Sequence, residues 1–443
     1  MESAVRGVRR FASLAARAIR AALAPPALLW IALVALSVRG DSRRRRRARR
    51  LPRLVYGPVP IIGIKYMSLA MRRAGYETRT LVQELYAIHR ATDFDRFTDT
   101  FFGHGFWARA FSRVAGDYLI FAWLLRRHDV FHSFFDGGFL RRTPLRHLEA
   151  RLLHLAGKRL VALPYGSDVA VPSRIASDAW RDGLVRDYPY LAEDEGTRER
   201  WIDYFSRGAD YIVGCLVHFE TLRRWDLLTL HYYPIDTDEW SPRGADRGFD
   251  GRNGPVTVAH APNHRALKGT DALIRACDEL RDEGLQVELR LLERVPNTEV
   301  RDAIAGAEIL VEQLHLGYGL TAMEGMSLGT PVVSNLTDDR YYARFRAETR
   351  LAACPIVGAT PDTVRDELRR LVVDPDLRRR LGEESRAYVI REHSYEAMAE
   401  LWAAIYRRVW LGDALDPAQL LAPGAGVQPD EAGTATAPVA ARL

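Results

Sequence analysis

From Leu54 onward the chain alternates short apolar runs with stretches of helical period, the pattern of parallel α/β layering. Strands are predicted at 53–56, 78–83, 129–133, 159–163 and 210–214, with a helix over 64–74 that stops at Gly75. A polar, glycine-rich stretch over 244–254 reads as a linker, after which the pattern restarts. Strands follow at 256–260, 287–292 and 308–311. Helices are predicted at 270–283, from Asn297 and at 321–328, with Gly329 as a left-handed stop and Pro331 opening the next strand. The period is helical from Pro361 to about Val409, and 413–443, rich in Ala, Pro and Gly, reads as a disordered tail. The fold class is therefore α/β, with two Rossmann-like doubly wound halves, 54–243 and 255–395, facing a cleft. Ligands are expected at the carboxyl ends of the strands.

The chain before Leu54 obeys a different rule. Over 3–20, Val5, Val8, Phe11, Leu14, Ala15 and Ile19 fall on one helical arc and Arg6, Arg9, Arg10, Arg17 and Arg20 on the other. Residues 21–38 follow, 18 positions of which only Ser37 is polar. As a helix they would reach roughly 27 Å, short of the ~30 Å hydrocarbon core, and Pro25 and Pro26 weaken a spanning reading further. An arginine run, Arg43–Arg47 with Arg49, Arg50 and Arg53, comes next. Residues 1–53 are expected to associate with a membrane surface, leaving the body on the cytoplasmic face. A cleaved signal peptide with Ala35-Leu36-Ser37 at its cleavage site is disfavoured by the arginines just beyond it. A plain disordered extension is the other alternative.

Charge separates the two parts. The net +6 of the 443 residues divides into +12 for residues 1–53 and −6 for the rest, so the body is mildly acidic and nucleic acid is not an expected partner. Hydrophobic residues at 47% and charged residues at 27% exclude wholesale disorder and a multi-span membrane protein. Three cysteines, none in a CxxC, exclude a disulfide scaffold and a zinc finger and fit a reducing compartment. Only three basic residues are lysines: Lys65, Lys158 and Lys268.

Two stretches carry candidate chemistry. Gly317-Tyr-Gly-Leu-Thr-Ala-Met-Glu324 is a glycine-bearing loop leading into a helix, whose free N–H groups suit phosphate oxygens. Glu324, one turn in, can accept from both hydroxyls of a vicinal diol such as a ribose. His260-Ala-Pro-Asn-His-Arg-Ala-Leu-Lys-Gly269 follows the first strand of the second half, where Arg265 and Lys268 could neutralise a pyrophosphate. A structural turn and a solvated basic loop are the bland readings of the same residues.

Together the two stretches resemble the nucleotide-sugar domain of GT-B glycosyltransferases, specifically the retaining family 4. Gly317-Tyr318-Gly319-Leu320, Glu324-Gly325-Met326 and Gly329-x-Pro331-Val332-Val333 match that family's pattern in order and spacing. In the first half Pro164-Tyr165-Gly166-Ser167-Asp168 is similar to its His-Gly-Ser-Asp turn. Ala209–Val213 and Ile235–Pro242 are similar to later landmarks. The resemblance implies a GT-B fold with a helix over 396–412 crossing back to the first domain. It implies transfer of a sugar from a nucleoside-diphosphate donor, with retention and with neither metal nor resident cofactor. The acceptor would be a sugar, a lipid or a cell-envelope polysaccharide. Arg265 and Lys268 would be catalytic, stabilising the departing diphosphate. Gly317, Tyr318, Gly319, Leu320 and Thr321 would line the phosphate site, with Glu324 on the ribose and Asn263 in the donor loop. Arg294 and Val295 would begin the strip that reads the base. Gly63 would face the donor across the cleft, and Gly166 and Asp168 would serve the acceptor side.

Two positions depart from the family. Leu316 stands where the first of two glutamates contacts the sugar, leaving Glu312 or Gln313 to replace it, and Tyr165 stands where a His assists at the sugar carbon. A catalytically degenerate nucleotide-sugar binder is one alternative these raise. An epimerase on the same fold is another, but epimerases of this architecture lack the long crossing helix that 395–409 supplies. A phosphorylase needs a pyridoxal-binding lysine, and neither Lys65 nor Lys158 is well placed. Asp93-Phe-Asp95 and Asp236-Thr-Asp238 have the Asp-x-Asp form of metal-dependent GT-A transferases, but such a triplet is common by chance and that architecture has no place for the 260–333 motifs. The aromatic segment Phe101–Phe111 and the run Tyr118–Leu125, with Arg141, Arg142, Arg146 and Arg151 nearby, could meet a lipid acceptor or simply form core.

Overall fold

The computed structural model describes residues 2–86, 89–215, 219–242 and 247–422, with side chains from Ala15 onward. Residues 244–246 of the expected linker and 423–443 of the expected tail lie outside them. Seven strands form the first sheet: β1 (Leu54–Tyr56), β2 (Thr78–Val82), β3 (Arg96–Phe97), β4 (Val130–Ser133), β5 (Arg159–Ala162), β6 (Tyr211–Cys215) and β7 (Leu227–Thr229). The order is β3-β2-β1-β4-β5-β6-β7, all parallel. The second sheet holds β8 (Val256–His260), β9 (Val287–Leu291), β10 (Ile309–Val311), β11 (Val332–Ser334) and β12 (Val357–Gly358) in the parallel order β12-β11-β10-β8-β9. Both are doubly wound, and chain direction across the sheet reverses between β1 and β4 and between β8 and β10. Crevices open at those two points, outside the strand carboxyl ends. The sequence period missed β3, β7 and β12, strands of two or three residues that all lie at sheet edges, where burial writes a weaker apolar run.

Both faces of the first sheet are covered. In β1, Leu54 and Tyr56 point into a core shared with Met67 and Met71 of the helix Ile62–Arg73, while Val55 points to the opposite core. That opposite core is closed by the N-terminal helix, a single element from Glu2 to Arg47. Its Ala24, Ile31, Val34 and Ala35 pack with Tyr118, Phe121 and Leu125 of the helix Asp117–Arg127. Pro25 and Pro26 lie inside it, and they are exposed together with Ala21 and Ala22, whose carbonyls lose their helical donors to the prolines. The apolar stretch is tied down at both ends. An Arg20 guanidinium N–H donates to Arg142 O at 2.8 Å, the Tyr118 hydroxyl to Arg20 O at 2.8 Å, and the Ser42 hydroxyl to Ala156 O at 3.1 Å. A pose across a bilayer would give up these bonds.

Part of the arginine run is structural. Asp129, fully buried, accepts from Arg53 Nε at 3.0 Å, Arg45 Nε at 3.1 Å and Lys158 Nζ at 3.2 Å. Burial pushes its pKa up, but the Arg53 hydrogen bonds and the Lys158 charge outweigh that and hold it at about 2. One carboxylate thus pins the end of the N-terminal helix, the start of β1 and the start of β5. Two boundaries also move. Residues 247–254 fold against the second domain, where Phe249 O accepts from Arg378 at 2.6 Å. Residues 413–422 of the expected tail pack on the body: Asp413 bridges Arg49 and Arg407, and Pro417–Leu421 forms a 3-10 turn with Leu420 and Leu421 against the main core.

The helix Tyr395–Tyr406 returns from the second domain and packs on Ile62–Arg73 of the first. Its last side chain enters a buried relay. His132 Nδ1 bonds Val55 O at 3.0 Å, so that nitrogen carries the proton and Nε2 accepts from the Tyr406 hydroxyl at 2.9 Å. Tyr406 in turn accepts from Tyr56 at 3.0 Å. Burial depresses His132 to about 3, so it stays neutral. Tyr406→Phe strands His132 Nε2 and the Tyr56 hydroxyl together and is expected to cost about 1–3 kcal/mol. Urea denaturation of the full chain should show a lower midpoint with an unchanged slope.

Candidate active site

The crevice of the second sheet lies between β8 and β10, and both chemistry-bearing stretches arrive there. After β8 the chain makes a one-turn helix, Arg265–Lys268. After β10, Glu312 to Gly319 lead into the helix Leu320–Ser327, whose first residues have no side-chain cap. That helix sits unusually close to the sheet: a Cβ on Gly325 would lie 2.3 Å from Leu310 Cδ2, so glycine is required where Glu324 must be presented from a buried face.

Lys268 and Gly319 converge on one carboxylate. Lys268 Nζ forms an ion pair with Glu312, and the Gly319 N–H donates to Glu312 Oε2 at 3.2 Å. Both Lys268 and Glu312 are largely shielded from solvent. The two cations expected to act together are differently placed. Arg265 is half exposed and makes a two-pronged bond to Glu293, each arm 2.8 Å. Glu324 is buried one turn into the helix; desolvation raises it to about 8, against a hydrogen bond from Asn297 and with Glu239 and Glu312 adding repulsion. Arg294, in the expected base strip, is non-glycine yet left-handed at φ 58°, a conformation costing about 1–3 kcal/mol and concentrated at ligand sites. Asn263 and Arg294 are exposed at the crevice rim, Val295 half-buried beside them, and Tyr318 is buried with its hydroxyl 3.0 Å from His393 Nε2. Gly317 is held from below by its N–H to Asn335 O, at 2.9 Å.

The acceptor-side residues fall out differently. Asp168 is not presented to the cleft. It accepts from the N–H groups of Phe135, Tyr165 and Gly166 at 3.0, 2.9 and 2.9 Å, and burial foremost, then Asp136, raises it to about 7. Its role is to shape the turn. Gly63 likewise faces the Tyr233 ring rather than the cleft, since a Cβ there would meet that ring at 2.3 Å. Gly166 does open outward, left-handed at φ 133° with nothing near its missing Cβ. Leu316 is buried and Tyr165 donates to Asp136 Oδ2 at 3.4 Å.

Two residues escaped the sequence reading. Asp136, just beyond the carboxyl end of β4, pairs with Arg141 at 3.2 Å and has one oxygen with no partner among the described residues. Its position at the first sheet's reversal point was the available signal. Asp187 ends the first-domain helix Asp178–Asp187 and accepts from the Leu267 N–H at 2.7 Å, while the neighbouring Tyr188 ring packs against His264, tilted by 47° with centroids 4.2 Å apart. Nothing in the sequence pointed to that bridge onto the turn after β8. The Asp-x-Asp triplets are structural: Asp93 pairs with Lys65, Asp95 with Arg72, Asp236 with Arg73. His260 is held by Val311 O and Thr270.

Residues 270–404 match a family described as "Glycosyl transferase-like", a span that begins just after Lys268 and includes Gly317 to Glu324 and most of the crossing helix. Sucrose-phosphate synthase from Thermosynechococcus elongatus is similar in structure, with a TM-score of 0.53 and 15% identity over 82% of this chain and 100% of that one. HepE from Anabaena, in complex with UDP and glucose, has a TM-score of 0.50 and 12% identity over 80% of this chain and 98% of that one. No curated protein sequence matches. The chain has the GT-B fold.

The raised pKa of Glu324 makes a test of its burial. A carboxyl whose folded pKa lies above its unfolded value stabilises fully at acid pH and loses that contribution as pH rises through about 8. Because that loss builds up between the ordinary value of 4.5 and about 8, Glu324→Gln should change Tm little near pH 4.5 and raise it increasingly towards alkaline pH, by a few degrees, read by differential scanning calorimetry.

Proposed function

We propose that the protein transfers a sugar from a nucleoside-diphosphate donor to a hydroxyl of a sugar or glycan acceptor, with retention of anomeric configuration and without a metal ion. The observation that carries this reading is the convergence of Lys268 and the Gly319 N–H on one anion at the second sheet's reversal point. A cation and a helix N-terminus aimed at a single anion are what a departing diphosphate requires. Glu312 occupies that seat here, and the donor's phosphates displace it. The freed carboxylate then takes the sugar-ring contact that Leu316 cannot make.

In the transfer, the bond between the anomeric carbon and the diphosphate oxygen breaks, and the acceptor oxygen bonds to that carbon. The acceptor proton passes to the departing phosphate oxygen. Asp168 is buried and turned onto three N–H groups, so it is not presented as a nucleophile; the leaving group then serves as the base on the face it vacates, the course that retains configuration. Asp136 orients the acceptor hydroxyl through its unpaired oxygen. Glu324 accepts from the donor ribose, and the Gly319–Thr321 N–H groups share the diphosphate charge with Lys268. Arg265 joins them only by releasing Glu293.

A melting-temperature screen against UDP-, GDP-, ADP- and dTDP-sugars identifies the donor, since a ligand at about a hundred times its Kd stabilises by about 2.7 kcal/mol. With that donor, Lys268→Ala is expected to lower kcat by about 10²–10³-fold on an intact fold, and Arg265→Ala by less. Glu312→Gln should tighten donor binding, by ending the competition for Lys268, while lowering kcat. Turnover unaffected by Lys268→Ala would refute the reading, as would turnover abolished by EDTA or an inverted product by NMR. Conversion of donor to its epimer without acceptor would favour epimerase chemistry instead.

A further inference from the structure

The N-terminal helix is apolar on two opposite sides, and its own domain uses only one. Ala24, Ile31, Val34 and Ala35 face the core, while Leu29, Leu33 and Leu36, on the far side at i, i+4 and i+7, are 65%, 58% and 51% exposed. Between Arg20 and Arg39 the chain carries no charged residue, so nothing polar relieves that outer stripe beyond Ser37. A helix packed on the surface of a soluble domain ordinarily turns charged side chains outward.

A second apolar feature borders the same helix. Phe106–Phe111 is a short helix with no buried residue; Trp107 is 81% and Phe106 77% exposed. It runs directly into the turn Ser112–Gly116, which packs on the N-terminal helix. The neighbouring run Tyr118–Leu125 is core, so the exposure is confined to the aromatic segment.

Charge identifies the partner. Exposed arginines ring these features: Arg17 before the stripe, Arg39, Arg43, Arg44 and Arg47 after it, and Arg109 and Arg113 beside the aromatic helix. A second copy docking here would bring like-charged clusters together, whereas an anionic lipid surface neutralises them. The acidic body is repelled by the same surface, which orients the molecule on this end.

We infer that the outer stripe of the N-terminal helix and the aromatic segment Phe106–Phe111 form one foot that lies in the interface of an anionic bilayer. The helix rests along the membrane plane, still attached to its domain through Arg20, Tyr118 and Ser42, and does not cross. This holds whatever the chemistry of the cleft.

The test uses the full chain and sedimentation with vesicles of phosphatidylcholine containing roughly one-third phosphatidylglycerol. The wild type should co-sediment with them, bind phosphatidylcholine alone much more weakly, and be released by high salt or alkaline carbonate. Leu29→Glu/Leu33→Glu/Leu36→Glu and, separately, Phe106→Ser/Trp107→Ser should each reduce vesicle binding by about tenfold or more while leaving the melting temperature unchanged, since these side chains are exposed. Equal binding by wild type and both variants would overturn the proposal. Retention in the membrane through carbonate would overturn it in favour of a spanning helix. A vesicle-independent dimer abolished by the same variants would overturn it in favour of self-association.

Discussion

The two sheets work as one machine because a single helix returns from the second to the first and cannot leave cheaply. Its last tyrosine lies at the apex of a buried relay in which His132 donates to Val55 O and accepts from Tyr406, which accepts from Tyr56. The tautomer is forced, so the relay has one arrangement, and Trp402 adds its indole N–H to Tyr232 O from the same helix at 3.1 Å. Each of these groups is buried, and losing one partner leaves another polar atom unsatisfied in a low-dielectric setting. The cost of separation is therefore concentrated at the carboxyl end of β4, a few residues from Asp136. Whatever moves the domains must move them about this joint.

A second bridge joins the domains at the far side of the cleft, and it differs in kind. Asp187 caps a backbone N–H of the turn after β8, and the Tyr188 ring lies tilted against His264. These are rim contacts of partly exposed groups, individually modest. They act on the loop that carries Lys268, so first-domain residues set the position of a second-domain cation. Glu312 does the same from below. The position between Lys268 and Gly319 is thus not an empty hollow but a cation and an N–H already neutralised by an internal anion. A site of this type holds its geometry by itself, and any incoming anion would enter by exchange with the Glu312 carboxylate rather than by assembling a charged hole from nothing.

Most of the architecture was legible in the sequence because parallel sheets buried on both faces write themselves as apolar runs. β8 falls at 256–260 as expected, and Gly329 ends its helix in the left-handed conformation. Gly317–Glu324 was legible as a site because a loop entering a helix has a local pattern. Glu312 was visible only as a possible substitute for Leu316, since its pairing with Lys268 spans two strands that no local pattern connects. Asp168 misled for a related reason: the spacing of Tyr165-Gly-Ser-Asp is the same whether the carboxylate faces a ligand or curls back onto three N–H groups. Arg265 and Lys268, three apart on one turn, looked equivalent, yet only one points inward.

The N-terminal helix shows the limit from the other direction. Hydrophobic period distinguishes one apolar face from a polar one, but a segment apolar all round gives the same signal whether it crosses a bilayer, fills a core or does half of each. Here the arginine run also divides: Arg45 and Arg53 are anchored on Asp129, while Arg43, Arg44 and Arg47 face outward. The same pair of features that reads as a membrane span with its flanking charges is, in three dimensions, a structural layer on one side and a basic, greasy surface on the other. That split ties the outer apolar stripe rigidly to the first domain, because the residues that build the β1–β4 core are the ones the helix covers. A helix tethered by a flexible linker would leave the cleft free to tilt against whatever the stripe meets; one whose Ile31 and Val34 belong to the domain core holds stripe and cleft in one fixed relation.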